Sequence, residues 1–178
     1  MRWQHPVKGL VLPDDFIGQA EESGLILPLE KWVLDAACAQ LARWSKRLET
    51  AGLGIAVKVS ARQFRHPDFV EQLLSIVETH GVDARQLKHE LTESLLATGM
   101  EITVAKMGLL KCAGMTLSID DFGMGCSALS YLKHLPLDQL KIEHSFVRDI
   151  FLIPTMAPLR ARSLGLLKAL VCRWLPRA

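Results

Sequence analysis

The chain has 178 residues, 49% of them hydrophobic and 22% charged, the balance of one ordinary globular domain that buries roughly 70% of its unfolded surface. Its net charge of +2 is too small to argue for a nucleic-acid polymer as partner. Four scattered cysteines (Cys38, Cys112, Cys126, Cys172) with no CxxC pair argue against a zinc site or disulfide frame and for reduced thiols in a cytoplasm.

The charge is uneven. From Ile150 onward there are five Arg/Lys and no acid, which leaves sixteen basic against nineteen acidic residues, a net of −3, in residues 1–149. No apolar run reaches the roughly 18 residues that span a bilayer, and the opening MRWQHPVKG does not resemble an export signal.

Along the chain, DDFIGQAEESGLI predicts a helix with Asp14 and Asp15 as candidate N-caps and an end at Gly24. LEKWVLDAACAQLARWSKRLETAG keeps apolar residues at 3–4 spacing and predicts a long helix stopping at Gly52. PDFVEQLLSIVETHG predicts another between Pro67 and Gly81, and EITVAKMGLLKCAG and SALSYLKHL complete the helical set. Between them lie the strand-like runs GIAVKVS, LKHELTES, MTLSIDD and QLKIEHSF. Strands alternating with helices of this length indicate βα units and a parallel sheet.

The phase of each strand carries information. Ala56, Lys58 and Ser60 oppose Ile55, Val57 and Val59; Lys88, Glu90 and Thr92 oppose Leu87, His89 and Leu91. Thr116, Ser118 and Asp120 oppose Met115, Leu117 and Ile119, and Gln139, Lys141 and Glu143 oppose Leu140 and Ile142. Each strand thus offers one apolar face and one face with ionisable groups near its end. An open doubly wound sheet is normally apolar on both faces. A barrel with a polar C-terminal mouth fits this pattern better.

Lys58, Glu90, Asp120, Asp121 and Lys141 would converge at that mouth. Inward carboxylates repel unless cations neutralise them, and Mg²⁺ or Mn²⁺ with phosphate-ester chemistry is the usual solution. An Asp pair ahead of a glycine is by itself an ordinary turn; four in-phase strands tip the reading toward a site. Adjacent strand residues face opposite ways, so the pair is expected to converge only where the backbone leaves the sheet. DFG lacks the other kinase motifs, and HELTE lacks the second histidine of a zinc protease. The six histidines show no ligand spacing and read as loop or surface residues, and Glu21 reads as a helix-surface charge.

RWQHPVKGLVLPDDFIGQAEESGLI, VKVSARQF, HELTES, IDDFGMG and SALSYLKHLPLDQLKIEHSFV resemble, in order, the EAL-domain cyclic di-GMP phosphodiesterases, from Arg2 to about Ile150. The resemblance implies an α/β fold, a TIM-like (β/α) barrel of which residues 1–150 hold about the first five of eight strands. It implies hydrolysis of cyclic di-GMP to linear pGpG with two Mg²⁺ or Mn²⁺ ions. By resemblance Glu90, Asp120 and Asp121 are metal ligands, Asp121 and Lys141 serve catalysis with Lys141 positioning the attacking water, Glu93 anchors the loop after the Asp pair, and Arg2 contacts the dinucleotide. A homodimer through the loop around Cys126, or a GGDEF or sensory domain as partner, is implied as well.

The departures are specific. The Glu-Ala-Leu signature with its metal-binding glutamate would stand immediately before Arg2, where the chain has Met1. The family's asparagine ligand is replaced by Lys58, whose ammonium has no lone pair for a metal. Met124 and Cys126 replace Thr and Tyr, and Glu143 replaces an Asp. A fixed Lys58 ammonium beside Glu90 and Asp120 is therefore expected to stand in for metal charge and leave an inactive site. The alternatives are a catalytically dead cyclic di-GMP-binding module and a protein-interaction fragment. Residues 151–178 form a divergent basic tail. They read better as a frameshift product, whose shifted codons can spell family-like residues, than as an amphipathic segment lying on a membrane.

Overall fold

A computed structural model describes residues 1–97, 99–122 and 135–142, with the side chains of Ala97 and Asp121 outside the description. The elements are β1 (Trp3–His5), β2 (Gly9–Val11), α1 (Ile17–Ser23), α2 (Ile26–Trp44), β3 (Ile55–Val59), α3 (Ala61–Arg65), α4 (Phe69–His80), β4 (Leu87–Thr92), α5 (Met100–Cys112), β5 (Thr116–Phe122) and β6 (Gln139–Ile142). Three short 3-10 turns, Pro13–Asp15, Ala84–Gln86 and Glu93–Ala97, link them.

β3, β4, β5 and β6 form one sheet in sequence order, and every pair is parallel. Parallel neighbours require a crossover, supplied by α3–α4 and then by α5. Among the described residues the order does not reverse, so these four strands show no switch point of the doubly wound kind and follow the winding of a barrel. The segment RWQ does not join this sheet. Trp3–His5 pairs antiparallel with Gly9–Val11 as a separate hairpin.

The core lies between the sheet and the helices. Val57, Val59, Leu87, Leu91, Leu117 and Ile119 are buried on one face of the strands, against Leu34 and Leu41 of α2, Leu73 of α4 and Met107 and Leu110 of α5. Each such side chain contributes roughly 1.5–3 kcal/mol of burial. His89 shares this face and is fully buried, which corrects the surface reading of that histidine.

Two helix expectations change. Asp14 and Asp15 do not cap α1: Pro13, with φ preset for a first turn, starts a 3-10 turn that takes up both aspartates, and the N-cap position falls to Phe16 with no side-chain bond. α2 stops at Trp44 rather than Gly52. There the Thr50 hydroxyl donates to the Trp44 carbonyl at 2.9 Å, satisfying a carbonyl that further helix would otherwise have used. Gly24 and Gly81 do end α1 and α4, at φ of 77° and 59°, values glycine reaches without steric cost. The expected helix SALSYLKHL lies largely outside the described residues.

Candidate functional site

The strand register assembles the ionisable face. Lys58 of β3 is the direct neighbour of Glu90 of β4, and Thr92 of β4 is the neighbour of Asp120 of β5. Between β5 and β6 the register shifts: Ile119 pairs with Leu140, and Phe122 with Ile142. Three steps on β5 therefore match two on β6, so Asp120 and Asp121 together oppose Lys141. One extra residue in a strand is a bulge, which bends the strand and breaks its regular pairing. The chain does not leave the sheet at the Asp pair, as the sequence suggests; β5 runs on to Phe122.

Two lysines reach into this face from its two sides. Lys58 Nζ lies 3.4 Å from Asp120 Oδ2. Lys141 Nζ lies 2.6 Å from Glu90 Oε1 and 3.7 Å from Asp120 Oδ1. Neighbouring strands are about 4.8 Å apart, so each lysine crosses one intervening strand: Lys58 passes over β4, and Lys141 over β5. Both carboxylates are largely enclosed, at 18% exposure for Asp120 and 16% for Glu90, while Lys58 is 54% exposed. The hydrogen bond to Glu90 holds the Lys141 ammonium above its ordinary pKa, helped by the charges of Glu90 and Asp120 and opposed by partial burial and by Lys58.

Among these four side chains the charges balance, two ammoniums against two carboxylates. That decides how the site meets a divalent metal of the kind the resemblance implies. The carboxylate oxygens that would ligate it already face ammonium groups, and Lys58 offers no lone pair. At an effective dielectric near 20, a divalent ion about 4 Å from one ammonium meets a repulsion of about 8 kcal/mol, which cancels the attraction of one carboxylate at the same distance. Among the described residues no group of three or more His, Cys, Asp or Glu side chains comes together as a metal site. The described donor set does not fit the metal, and no chemical step is routed through one.

A cavity of about 1120 Å³ adjoins this face and includes Lys58, Glu30, Arg62, Arg65 and Thr92 in its lining. Glu30 is buried, at 8% exposure; it accepts from the Ser60 main-chain N–H at 2.8 Å and from the Ser60 hydroxyl at 2.9 Å. Burial raises the Glu30 pKa, against the lowering effect of the Ser60 bonds. Ser60 Oγ in turn accepts from Gln63 N at 3.1 Å and caps α3. Sequence reading missed Glu30, although its place four residues after Ile26 and four before Leu34, both buried, puts it on the inner stripe of α2. Glu21 is exposed as expected, yet it also lines the cavity.

Arg2 is exposed and lines a second cavity of about 840 Å³ with Trp3, Phe16 and Trp32. Glu93 is buried at the start of the 3-10 turn that follows β4. Asp121 belongs to β5 by its backbone. Met124, Cys126, Glu143, the loop Glu93 is expected to anchor and the tail 151–178 lie outside the described residues.

A family model described as EAL domain matches residues 1–158. The chain belongs to the EAL domain family. It is 38% identical over 150 residues to the bifunctional diguanylate cyclase/cyclic di-GMP phosphodiesterase MucR of Pseudomonas aeruginosa, matching 84% of this chain and 22% of the relative. It is 41% identical over 153 residues to the cyclic di-GMP phosphodiesterase NbdA of the same organism, matching 84% of this chain and 19% of the relative. The match thus spans less than a quarter of either relative's length. A solved structure of the PaMucR phosphodiesterase in complex with c-di-GMP superposes with a TM-score of 0.78 at 37% identity, covering 89% of this chain and 64% of that one. The EAL enzyme Bd1971 in its cAMP- and cyclic-di-GMP-bound form gives 0.80 at 32%, covering 94% and 46%. These neighbours establish the barrel-type fold of which the four-stranded parallel sheet is part. No helix among the described residues is long and apolar enough to cross a membrane.

Proposed function

We propose that this chain is a partial EAL-type cyclic di-GMP phosphodiesterase domain that, as it stands, does not hydrolyse the dinucleotide. The observation that carries this reading is the seating of Lys58, at the position of the family's asparagine ligand, on Asp120 at 3.4 Å. Asp120, which in this reading would ligate Mg²⁺ or Mn²⁺, holds the Lys58 ammonium instead. In this reading residues 1–150 form the partial barrel and residues 151–178 a divergent basic tail. A GGDEF or sensory partner domain fits the relative MucR, a bifunctional diguanylate cyclase/cyclic di-GMP phosphodiesterase.

A second reading, recognition of cyclic di-GMP without cleavage, is favoured by the same pair. Two metal-free carboxylates would repel a phosphodiester, whereas a mouth neutralised by Lys58 and Lys141 does not. The fit with the PaMucR complex supports this as well.

The test is titration with cyclic di-GMP followed by product analysis in Mn²⁺. The proposal predicts no pGpG. Saturable binding without product supports the recognition reading, and no binding leaves a non-hydrolytic interaction fragment. Stoichiometric turnover to pGpG overturns the proposal.

A further inference from the structure

α5 buries Thr103, Met107 and Leu110 against the core. On its other side Ile102, Ala105, Leu109 and Cys112 are exposed, Ile102 at 64% and Leu109 at 56%. At 3.6 residues per turn the two sets point about 150° apart. The exposed set recurs at steps of three, four and three, the spacing of a seam between two helices.

The two lysines of α5 do not solvate this seam. Lys106 donates to the Phe64 carbonyl at 2.9 Å and to that of His66, and Lys111 pairs with Asp138. One flank of the helix is thus tied toward α3 and the other toward the start of β6, which leaves Glu101 as the one charge of α5 near the seam. A helix that is apolar on opposite sides belongs in an interior. Strands added to the sheet beyond β6 would lie on the Lys111 flank, so the seam stays outermost.

We propose that the seam docks a second copy of this chain, α5 against α5, antiparallel about a two-fold axis. Run that way, Ile102 stands opposite the partner's Cys112, and Ala105 opposite the partner's Leu109. Each of the four layers sets a large side chain against a small one, which packs without void or clash. A two-fold contact has to be self-complementary in this manner. A parallel pairing would instead stack Ile102 on its own copy and bring the two Glu101 carboxylates side by side. The antiparallel one separates those carboxylates by about 18 Å at 1.5 Å per residue, and it sets each helix N-terminus beside the opposite C-terminus, which the dipoles favour. Four layers on a helix about 20 Å long make a contact at the low end of the interface scale, so the pairing is reversible and concentration-dependent. This surface is separate from the loop around Cys126, and the inference does not rest on the cyclic di-GMP reading.

The test uses the full chain with Cys126 and Cys172 replaced by serine, and a short bismaleimide that reaches between facing helices. Ile102→Cys is predicted to give a covalent dimer whose yield rises with protein concentration and whose peptide map joins position 102 of one copy to Cys112 of the other. Without that substitution Cys112 gives little dimer, because its two copies stand about 15 Å apart along the seam. Adding Leu109→Glu lowers the yield at least about tenfold, since the contact would bury an unpaired carboxylate. Leu48→Glu, at a residue 98% exposed elsewhere, leaves the yield unchanged. Three results overturn the proposal: no link between positions 102 and 112 at any concentration, a link between the two copies of Cys112 as the main product, or an undiminished yield with Leu109→Glu.

Discussion

Lys58 and Asp120 sit on strands that are not neighbours, yet their charged groups meet at 3.4 Å across β4. The contact is held from one half-exposed side, with Lys58 at 54% exposure, so its worth is limited by solvent screening and by the entropy of a long side chain. A double-mutant cycle of Lys58→Met and Asp120→Asn is expected to give a coupling of about 0.5–1 kcal/mol at low salt. Raising the salt toward 1 M shortens the screening length to about 3 Å and should remove most of it. A coupling indistinguishable from zero at low salt would show that the two side chains do not meet in solution.

Lys141 adds a pH dependence whose sign follows from its partner. The hydrogen bond to Glu90 raises its pKa above the ordinary 10.5. A raised lysine stabilises the fold fully below the unfolded-state pKa and loses that contribution as pH climbs through the folded one. Lys141 is 36% exposed, so the loss is discounted to about 1 kcal/mol or less. Denaturant melts of the native chain and of Lys141→Met should differ at pH 8, and the difference should shrink as pH climbs beyond 10.5. A gap that stays constant over that range would contradict the assignment.

His89 works in the opposite direction on the acid side. It is fully buried beside Phe69, with ring centroids 6.4 Å apart, and neither ring nitrogen has a hydrogen-bond partner among the described residues. Burial lowers its pKa from 6.5 to about 4. The unfolded chain therefore takes up the proton first, and stability falls as pH drops from 6.5 toward 4, by about 3 kcal/mol over the window. His89→Leu should flatten the stability profile across that window. At pH 7 it should add about 1 kcal/mol, since it replaces two unsatisfied polar atoms with an apolar group. Equal acid slopes for the two proteins would refute this.

Asp138 fixes where β6 begins. Its carboxylate accepts from the Leu117 main-chain N–H at 2.8 Å and from Lys111, and its own N–H donates to the Leu117 carbonyl at 2.8 Å. Leu117 is fully buried, so Asp138→Ala strands a main-chain donor and is expected to cost about 1–3 kcal/mol. Amide exchange should report the loss at Leu117 before it reaches the core of β4. A variant as stable as the native chain, with Leu117 still protected, would deny Asp138 this role.

The phase of the strands was readable in advance because alternation is a local property. Val57, Val59, Leu91 and Ile119 are all on the buried face the pattern assigns them, and Lys58, Glu90, Asp120 and Lys141 share the other. The bulge at Asp120 and Asp121 was not readable, because a bulge is defined by the register with β6 rather than by the residues of β5. Glu30 was hidden for a similar reason. Its burial depends on Ser60, thirty residues away, supplying two donors. His89 defeated a composition argument: on the apolar face of β4 its neighbours decide its environment, whatever its side chain prefers. The end of α2 turned on Thr50, whose competing bond to Trp44 no periodicity reveals.

The central claim is that the Lys58 ammonium occupies the place of metal charge beside Glu90 and Asp120. Isothermal titration with Mn²⁺ tests it most directly, on the native chain and on Lys58→Asn, which restores a neutral oxygen donor. The account predicts no tight, stoichiometric Mn²⁺ binding by the native chain, and a measurable gain in the variant. Tight, stoichiometric binding of Mn²⁺ to the native chain would contradict it.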